Sequence, residues 1–449
     1  MFINELPSLK NIINLFNIFK TFSSTEKTDL ELTIAELMDN YIENTPLSFS
    51  SPHFHQQMDD FITTNMMSSI SHIYSDIKSM EYELVEIYEN IKKQYFTKYY
   101  PCRSYPDTFI RNDPNVEHMM EKIKFIENKP QPDQRTNEWY EFRYNLITAS
   151  SAWKVFKSQS AINQLIVEKC KPLDVSKYSG VNTSTPMHHG NKYEDVSIML
   201  YEYMYKTKVK DYGCIQHDKY KFLGASPDGI NVDITSPLYG RMVEIKNPTT
   251  REITGIPKED YWIQMQLQME TCNLNECDFL ETQFKEYDDE ESFMNDGSFT
   301  YNENNELKGV ILYFMKDGKP LYEYMPLYYS EEEYNSWMDT IMENHKNITW
   351  VKNIFWRLEH YSCVLVLRNK FWFKHAIDKI AEVWDIIVKE RQTGFEHRAP
   401  KRSNRSNRSN SITETTNSEC LINTNNLTNQ IIYIDTKFES IDVSSSGTN

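Results

Sequence analysis

The sequence predicts an α/β (α+β) chain with a helical N-terminal region, a middle that mixes helices and strands, and a polar C-terminal tail. Three observations carry this reading. Apolar residues recur at helical spacing over residues 1–130, an alternating segment at 309–329 is interrupted by a tight turn, and an amphipathic stretch at 369–392 gives way to Ser, Asn and Thr.

In the N-terminal region the helical spacing shows in Ile12, Leu15, Phe16 and Phe19, and again from Ile70 to Tyr95 with the charge pattern EYELVEIYENIKK. ENKPQPDQRTNE at 127–138 is a polar, Pro-containing connection that places a boundary before the middle of the chain. Beyond it the pattern reads as helices mixed with short strands. GVILYFMKDGKPLYEYMPLYY at 309–329 alternates around Lys-Asp-Gly and predicts a β-hairpin; SEEEYNSWMDTIMENH follows, with Ser330 as N-cap and acids in the first turn. NKFWFKHAIDKIAEVWDIIVKERQ predicts a long amphipathic helix. The division is therefore 1–130, 131–395 and a disordered tail at 396–449, whose basic repeat reads as a solvated linker and can also touch nucleic acid or serve as an address.

Composition excludes several function classes. The 449 residues include only 12 glycines, seven of them between 180 and 255, and neither GxxxxGK[ST] nor GxGxxG occurs, which disfavours P-loop and dinucleotide chemistry. Seven cysteines show no CxxC pair and read as reduced thiols of an intracellular, cytoplasmic protein. No stretch approaches the roughly 18 apolar residues that span a bilayer, and Glu5 spoils a signal peptide, so neither membrane insertion nor secretion is expected. The net charge of -17 is uneven: residues 1–130 hold 12 Lys+Arg against 19 Asp+Glu, 131–275 hold 17 against 17, and 276–449 hold 19 against 29. The neutral middle can still present a locally basic groove to phosphate.

The sharpest chemical signal is YKFLGASPDGI at 220–230 followed by RMVEIKNP at 241–248. On a strand with a side-chain period of two, Glu244 and Lys246 share a face with Met242, while Arg241, Val243 and Ile245 point the other way. A hairpin through 231–240 returns Asp228 beside them. Two carboxylates and an ammonium then converge, a grouping suited to phosphodiester hydrolysis: Asp228 and Glu244 supply hard oxygens to Mg²⁺, which acidifies a bound water, and Lys246 steadies that water and the charge on the phosphoryl oxygens. The bland reading is a surface hairpin with an ordinary Glu/Lys pair.

Further stretches fit a site. Apolar residues in YEDVSIMLYEYM place Glu194 near a helix start, where it can enter the site or serve as a first-turn acid. ITAS before SAWKVF reads as an N-cap whose free amides favour an anion. Arg143 offers a planar fork suited to phosphate, or a surface salt bridge. Trp139 reads as a core anchor. Gln264 and Gln268 lie a turn apart on the Tyr261 face, at a site edge or as a solvent-facing stripe. His188 and His189, adjacent and without a spaced partner, read as structural or substrate-contacting residues.

PDG followed by ExK resembles the PD-(D/E)XK nuclease superfamily. Four stretches in order, NEWYEFRYNLITAS at 137–150, HHGNKYEDVSIMLYE at 188–202, LGASPDGI with VEIKNP, and YWIQMQLQME at 261–270, resemble more narrowly the YqaJ-type viral recombinase and phage lambda exonuclease family. The resemblance covers about 137–330 and implies a restriction-endonuclease-like core, a central mixed β-sheet flanked by helices. It implies that Asp228, Glu244 and the Ile245 carbonyl bind Mg²⁺, two ions, with Mn²⁺ as a substitute; that Lys246 and Gln264 position the attacking water; and that Glu194 assists. It further implies that Arg143, Ser150 and Ser226 hold a 5′-terminal phosphate. The activity implied is 5′-to-3′ digestion of double-stranded DNA from free ends in viral recombination, repair or genome processing, by a homo-oligomer partnered with a single-strand annealing protein. Two other readings share these residues: a structure-specific or host-degrading endonuclease, and an inactive DNA-binding or virion-packaged protein.

Overall fold

The computed structural model describes residues 22–71, 81–111, 114–134, 136–174, 183 and 185–398; the periodicity at 12–19 and nearly all of the polar tail lie outside the described residues. Among the described residues four α-helices come first: α1 (Ser24–Asn44), α2 (Phe54–Ser71), α3 (Glu81–Lys98) and α4 (Val116–Glu127). A capping box between Ser23 and Glu26 starts α1. Ile34, Met38 and Ile42 of α1, and Phe54, Met58 and Ile62 of α2, recur every four residues and are fully buried, each large side chain contributing about 2 kcal/mol of apolar burial. These residues belong to the same hydrophobic cluster as Trp262 and Trp372 far along the chain. Tyr100 bridges the two parts, its ring 5.9 Å from Phe49 and 5.1 Å from Phe371. The helices at 24–127 and the following 270 or so residues therefore share one compact unit.

The middle begins with α5 (Asn137–Tyr144), β1 (Ile147–Thr148), α6 (Ala149–Ala152), α7 (Gln159–Cys170) and α8 (Pro186–Tyr205). Strands β2 (Val209–Lys210), β3 (Ile215–Gln216), β4 (Leu223–Ala225), β5 (Gly229–Asn231) and β6 (Met242–Lys246) precede α9 (Glu259–Cys272) and β7 (Glu276–Glu286). Then come α10 (Glu290–Asn295), β8 (Lys308–Lys316), β9 (Lys319–Tyr324), α11 (Glu331–Asn344), β10 (Thr349–Leu367) and α12 (Lys370–Thr393).

Among the described residues the strands form a seven-stranded mixed sheet in the order β2-β5-β6-β7-β10-β8-β9, beside a small β1-β4-β3 sheet. Within the large sheet only β6 and β7 run parallel. Helix α9 supplies the crossover that a parallel pair requires. Alternate residues send the two faces to different cores: Met242 and Phe279 join the cluster that contains α9 and α12, while Val243, Ile245 and Leu280 pack with Tyr201 of α8. Burial on both faces is what a central strand of a layered α/β fold shows.

The hairpin expected at 309–329 is present as β8 and β9, turned by Asp317 and Gly318, both at positive φ. Its second strand ends at Tyr324. Ser330 caps α11 with a reciprocal box to Glu333, and Asn369 caps α12. One expectation is corrected: the strands are not all short, since β10 runs 19 residues between β7 and β8. Six described cysteines carry no disulfide. No described helix is long and apolar enough to cross a membrane.

Candidate active site

The hairpin register assembles the centre. Gly229 pairs with Val243 and Ile230 with Met242, so Asp228 arrives opposite the end of β6 and its Oδ2 accepts the Ile245 amide at 2.8 Å. Glycine after Asp228 is required by space, because a Cβ at 229 would lie 2.1 Å from Val209 Cγ1 on β2. Glu244 and Lys246 share the face toward α9, as the two-residue period predicts. The Lys246 ammonium donates to Glu244 Oε1 and, at 3.0 Å, to the Ile245 carbonyl, and it lies 3.9 Å from Asp228 Oδ2.

Glu244 is 0% exposed. Burial, and then the Asp228 charge, push its carboxyl above the usual range, against the pull of Lys246 and Gln268. For Lys246 burial acts downward, but the Glu244 and Asp228 carboxylates outweigh it and hold the ammonium well above its ordinary value. Beside these carboxylates the ammonium form of Lys246 is the favoured one.

Helix α9 lies across these groups. Gln264 Nε2 donates to Glu244 Oε1 at 2.6 Å, and Gln268 Nε2 donates to Glu244 Oε2 at 2.6 Å and to the Ser226 carbonyl at 3.2 Å. The two glutamines are therefore site residues and not a solvent stripe. Gln266, between them, is structural: it bonds the Leu367 carbonyl and the Asn369 amide.

Glu194 lines the same cleft of about 590 Å³ as Asp228, Lys246 and Tyr261. It does so from the third turn of α8, not the helix start: Thr185 is the N-cap and Pro186 the first helical residue. Asn247 fixes that helix over the site, donating to the Gly190 carbonyl at 3.1 Å and accepting from Ser197 at 2.8 Å. His188 is structural, bonded to Tyr322 at 2.6 Å. His189 lines an adjacent cavity with Lys192 and Lys352; burial and Lys192 lower it to about 4, so it is neutral.

The third group gathers Arg143, Ser150 and Ser226. Arg143 Nη1 donates to Ser226 Oγ at 3.2 Å and Nη2 to Ser150 Oγ at 3.2 Å. The fork thus meets hydroxyls, and its partner is not the carboxylate of a surface salt bridge. Trp139 is half-buried with its ring 4.2 Å from the guanidinium, a platform for Arg143 and not the core anchor expected. Helix α6 spans four residues, so ITAS contributes Ser150 far more than a helix dipole; Thr148, at its N-cap, makes no capping bond and instead meets the Ser150 and Ser151 hydroxyls.

Two cations the sequence reading missed clamp the end of α5. Lys169 Nζ donates to the Arg143 carbonyl at 2.7 Å, and Arg391 of α12 donates to the Tyr144 and Lys169 carbonyls. Burial lowers Lys169 to about 8, with Arg143 and Arg391 adding to the shift and Glu168 opposing it.

Asp228, Glu244 and the Ile245 carbonyl form a hard-oxygen set of the kind Mg²⁺ takes when phosphate and water complete its shell. Among the described residues no three His, Cys, Asp or Glu side chains gather closely enough to hold a metal by themselves. A buried carboxylate pushed up by its neighbour is where a dication would relieve repulsion. The residues fit the ion.

The central mixed sheet flanked by helices, with helices before it, is the α/β (α+β) architecture expected from the sequence. Residues 138–275 match the model of the YqaJ-like viral recombinase domain. "Uncharacterized protein R354" of Acanthamoeba polyphaga mimivirus is 30% identical over 312 residues, 60% of this chain and 55% of the relative. The chain thus spans about half the length of that relative. Similar solved structures are an alkaline exonuclease (LHK-Exo) from Laribacter hongkongensis, at 20% identity and TM-score 0.33 over 58% of this chain and 95% of that one, and a phage related exonuclease from Haemophilus somnus 129PT, at 15% and 0.31 over 57% and 96%.

Proposed function

We propose that the protein is a Mg²⁺-dependent nuclease that degrades duplex DNA 5′ to 3′ from phosphorylated ends, in viral recombination, repair or genome processing. The observation that carries the reading is the convergence of Asp228, Glu244 and Lys246 beside a separate Arg143–Ser150–Ser226 cluster. The first group suits phosphodiester hydrolysis; the second suits a terminal phosphate, since among the described residues the Arg143 fork is bonded to hydroxyls and not to a carboxylate. The YqaJ-like domain and the mimivirus relative support a viral setting.

Asp228, Glu244 and the Ile245 carbonyl would hold the ion, with Glu194, which lines the same cleft, available to a second. Bound there, the ion supplies Lewis acidity and positive charge at the scissile phosphate. Lys246 keeps its proton, orients water and stabilises charge on the phosphoryl oxygens. Gln264 fixes the Glu244 carboxylate and offers an amide to the same water. Arg143 grips the terminal phosphate and so sets which bond reaches the carboxylates.

The test is digestion of linear 5′-phosphorylated duplex DNA beside a covalently closed circle, with Mg²⁺ or with chelator. Mg²⁺-dependent loss of the linear form alone is expected; cutting of the circle would replace the exonuclease by an endonuclease, and no cleavage of either would favour a DNA-binding protein. Arg143→Ala is expected to lower cleavage of phosphorylated ends by about 10- to 100-fold, the scale of one charge-assisted pair, while hydroxyl ends change little. Equal losses on both ends would remove that role.

A further inference from the structure

We infer that Gln268 is a positioning residue that connects the anion pocket to the catalytic carboxylate, so that an occupied pocket speeds the cleavage step itself. This rests on the reading of Arg143, Ser150 and Ser226 as the terminal-phosphate pocket. Ser226 faces both ways: its Oγ accepts from Arg143 at 3.2 Å, and its carbonyl accepts from Gln268 Nε2 at 3.2 Å. The same nitrogen donates to Glu244 Oε2 at 2.6 Å. Both acceptors lie on the NH₂ side of the amide, which fixes its orientation.

Gln268 is 1% exposed, and its Oε1 has no hydrogen-bond partner among the described residues. A buried amide left half-satisfied costs stability, and an apolar side chain of similar length would pack in α9 without that cost. What the amide does, and an apolar group cannot, is hold the Ser226 peptide and Glu244 Oε2 together. Ser226 also lies two residues before Asp228, whose Oδ2 is bonded to the Ile245 amide. A phosphate drawing Arg143 and the Ser226 hydroxyl into place therefore sets both carboxylates, one through Gln268 and one through the chain. The path is three contiguous hydrogen bonds joining Arg143, Ser226, Gln268 and Glu244, with no large motion.

The test uses the full chain and two duplexes identical except for a 5′-phosphate or 5′-hydroxyl. Single-turnover cleavage rates are compared for wild type, Gln268→Met and Ser226→Ala, and end affinity is measured separately in chelator. The inference expects wild type to cleave phosphorylated ends faster, and the ratio of the two rates to fall to about one in Gln268→Met while its affinity still favours the phosphate. A residue that merely supports the fold would slow both substrates by one factor, and a wild-type ratio in Gln268→Met overturns the inference. Ser226→Ala, which cuts the same path from the pocket side, decides if Gln268→Met does not fold: a retained ratio there overturns it equally. Wild-type cleavage without end preference overturns both this inference and the phosphate pocket, whereas absence of any wild-type cleavage removes the nuclease reading on which both stand.

Discussion

Lys246→Ala is expected to lower DNA cleavage by about two to three orders of magnitude with the fold intact, the scale on which one preorganised charge acts in a hydrolytic site. The ammonium meets Glu244, the Ile245 carbonyl and Asp228 at once, so alanine removes the single positive side chain among them. Glu244 keeps the amides of Gln264 and Gln268 but loses the cation that draws its carboxyl down. Its carboxyl then rises further. Because the ionised form is the one that would hold Mg²⁺, the residual activity should climb at higher pH in the mutant than in wild type. Lys246 is half-buried at the end of β6, so circular dichroism should change little, while thermal stability should fall toward alkaline pH, where the buried Glu244 is left charged without its cation. Undiminished digestion would sink the assignment of Lys246; a mutant profile shifted to lower pH would sink the account of Glu244.

The parts of this molecule that are legible in its sequence are those set by short-range rules. The two-residue period of β6 puts Glu244 and Lys246 on one face, and hairpin closure brings Asp228 to them; both follow from spacing alone. The caps of α11 and α12 follow from Ser330 and Asn369. The start of α8 was readable too, since Thr185-Pro186 is a cap followed by a first-turn proline, and placing it there puts Glu194 in the third turn.

What resists reading is set by partners distant in sequence. Nothing near Lys169 announces that it bonds the Arg143 carbonyl, or that Arg391 reaches Tyr144, 247 residues away. Strand β10 hides for a related reason. Its flanks are covered by β7 and β8, and Arg357 and Glu359 pair with each other, so charged residues interrupt any clean alternation. Trp139 misleads because size argues for a core position, whereas the half-buried ring lies against the Arg143 guanidinium.

Asp228→Asn should separate function from stability at this site. Cleavage is expected to fall by about three orders of magnitude, because asparagine is a neutral ligand and a poor substitute for a carboxylate on a hard dication. The folded chain, by contrast, should gain about 1 kcal/mol at alkaline pH. The sign follows from Glu244, whose folded-state carboxyl is raised by burial and by Asp228. An acid raised on folding contributes stability while protonated, and that stability is lost as pH rises from the unfolded-state value through the folded one. Removing the Asp228 charge lessens the rise and therefore the loss, while the asparagine carbonyl can still accept the Ile245 amide that Asp228 Oδ2 holds at 2.8 Å. Partial exposure of Asp228 and its 3.9 Å contact with Lys246 keep the gain small. Thermal unfolding of the two proteins at acid and alkaline pH should show the variant ahead only at the alkaline end. Added Mg²⁺ should raise the melting temperature of wild type and not of Asp228→Asn, since only a state that binds the ion is stabilised by it. Equal Mg²⁺ responses would place the ion elsewhere, and a variant less stable than wild type at alkaline pH would show that the two carboxylates do not repel.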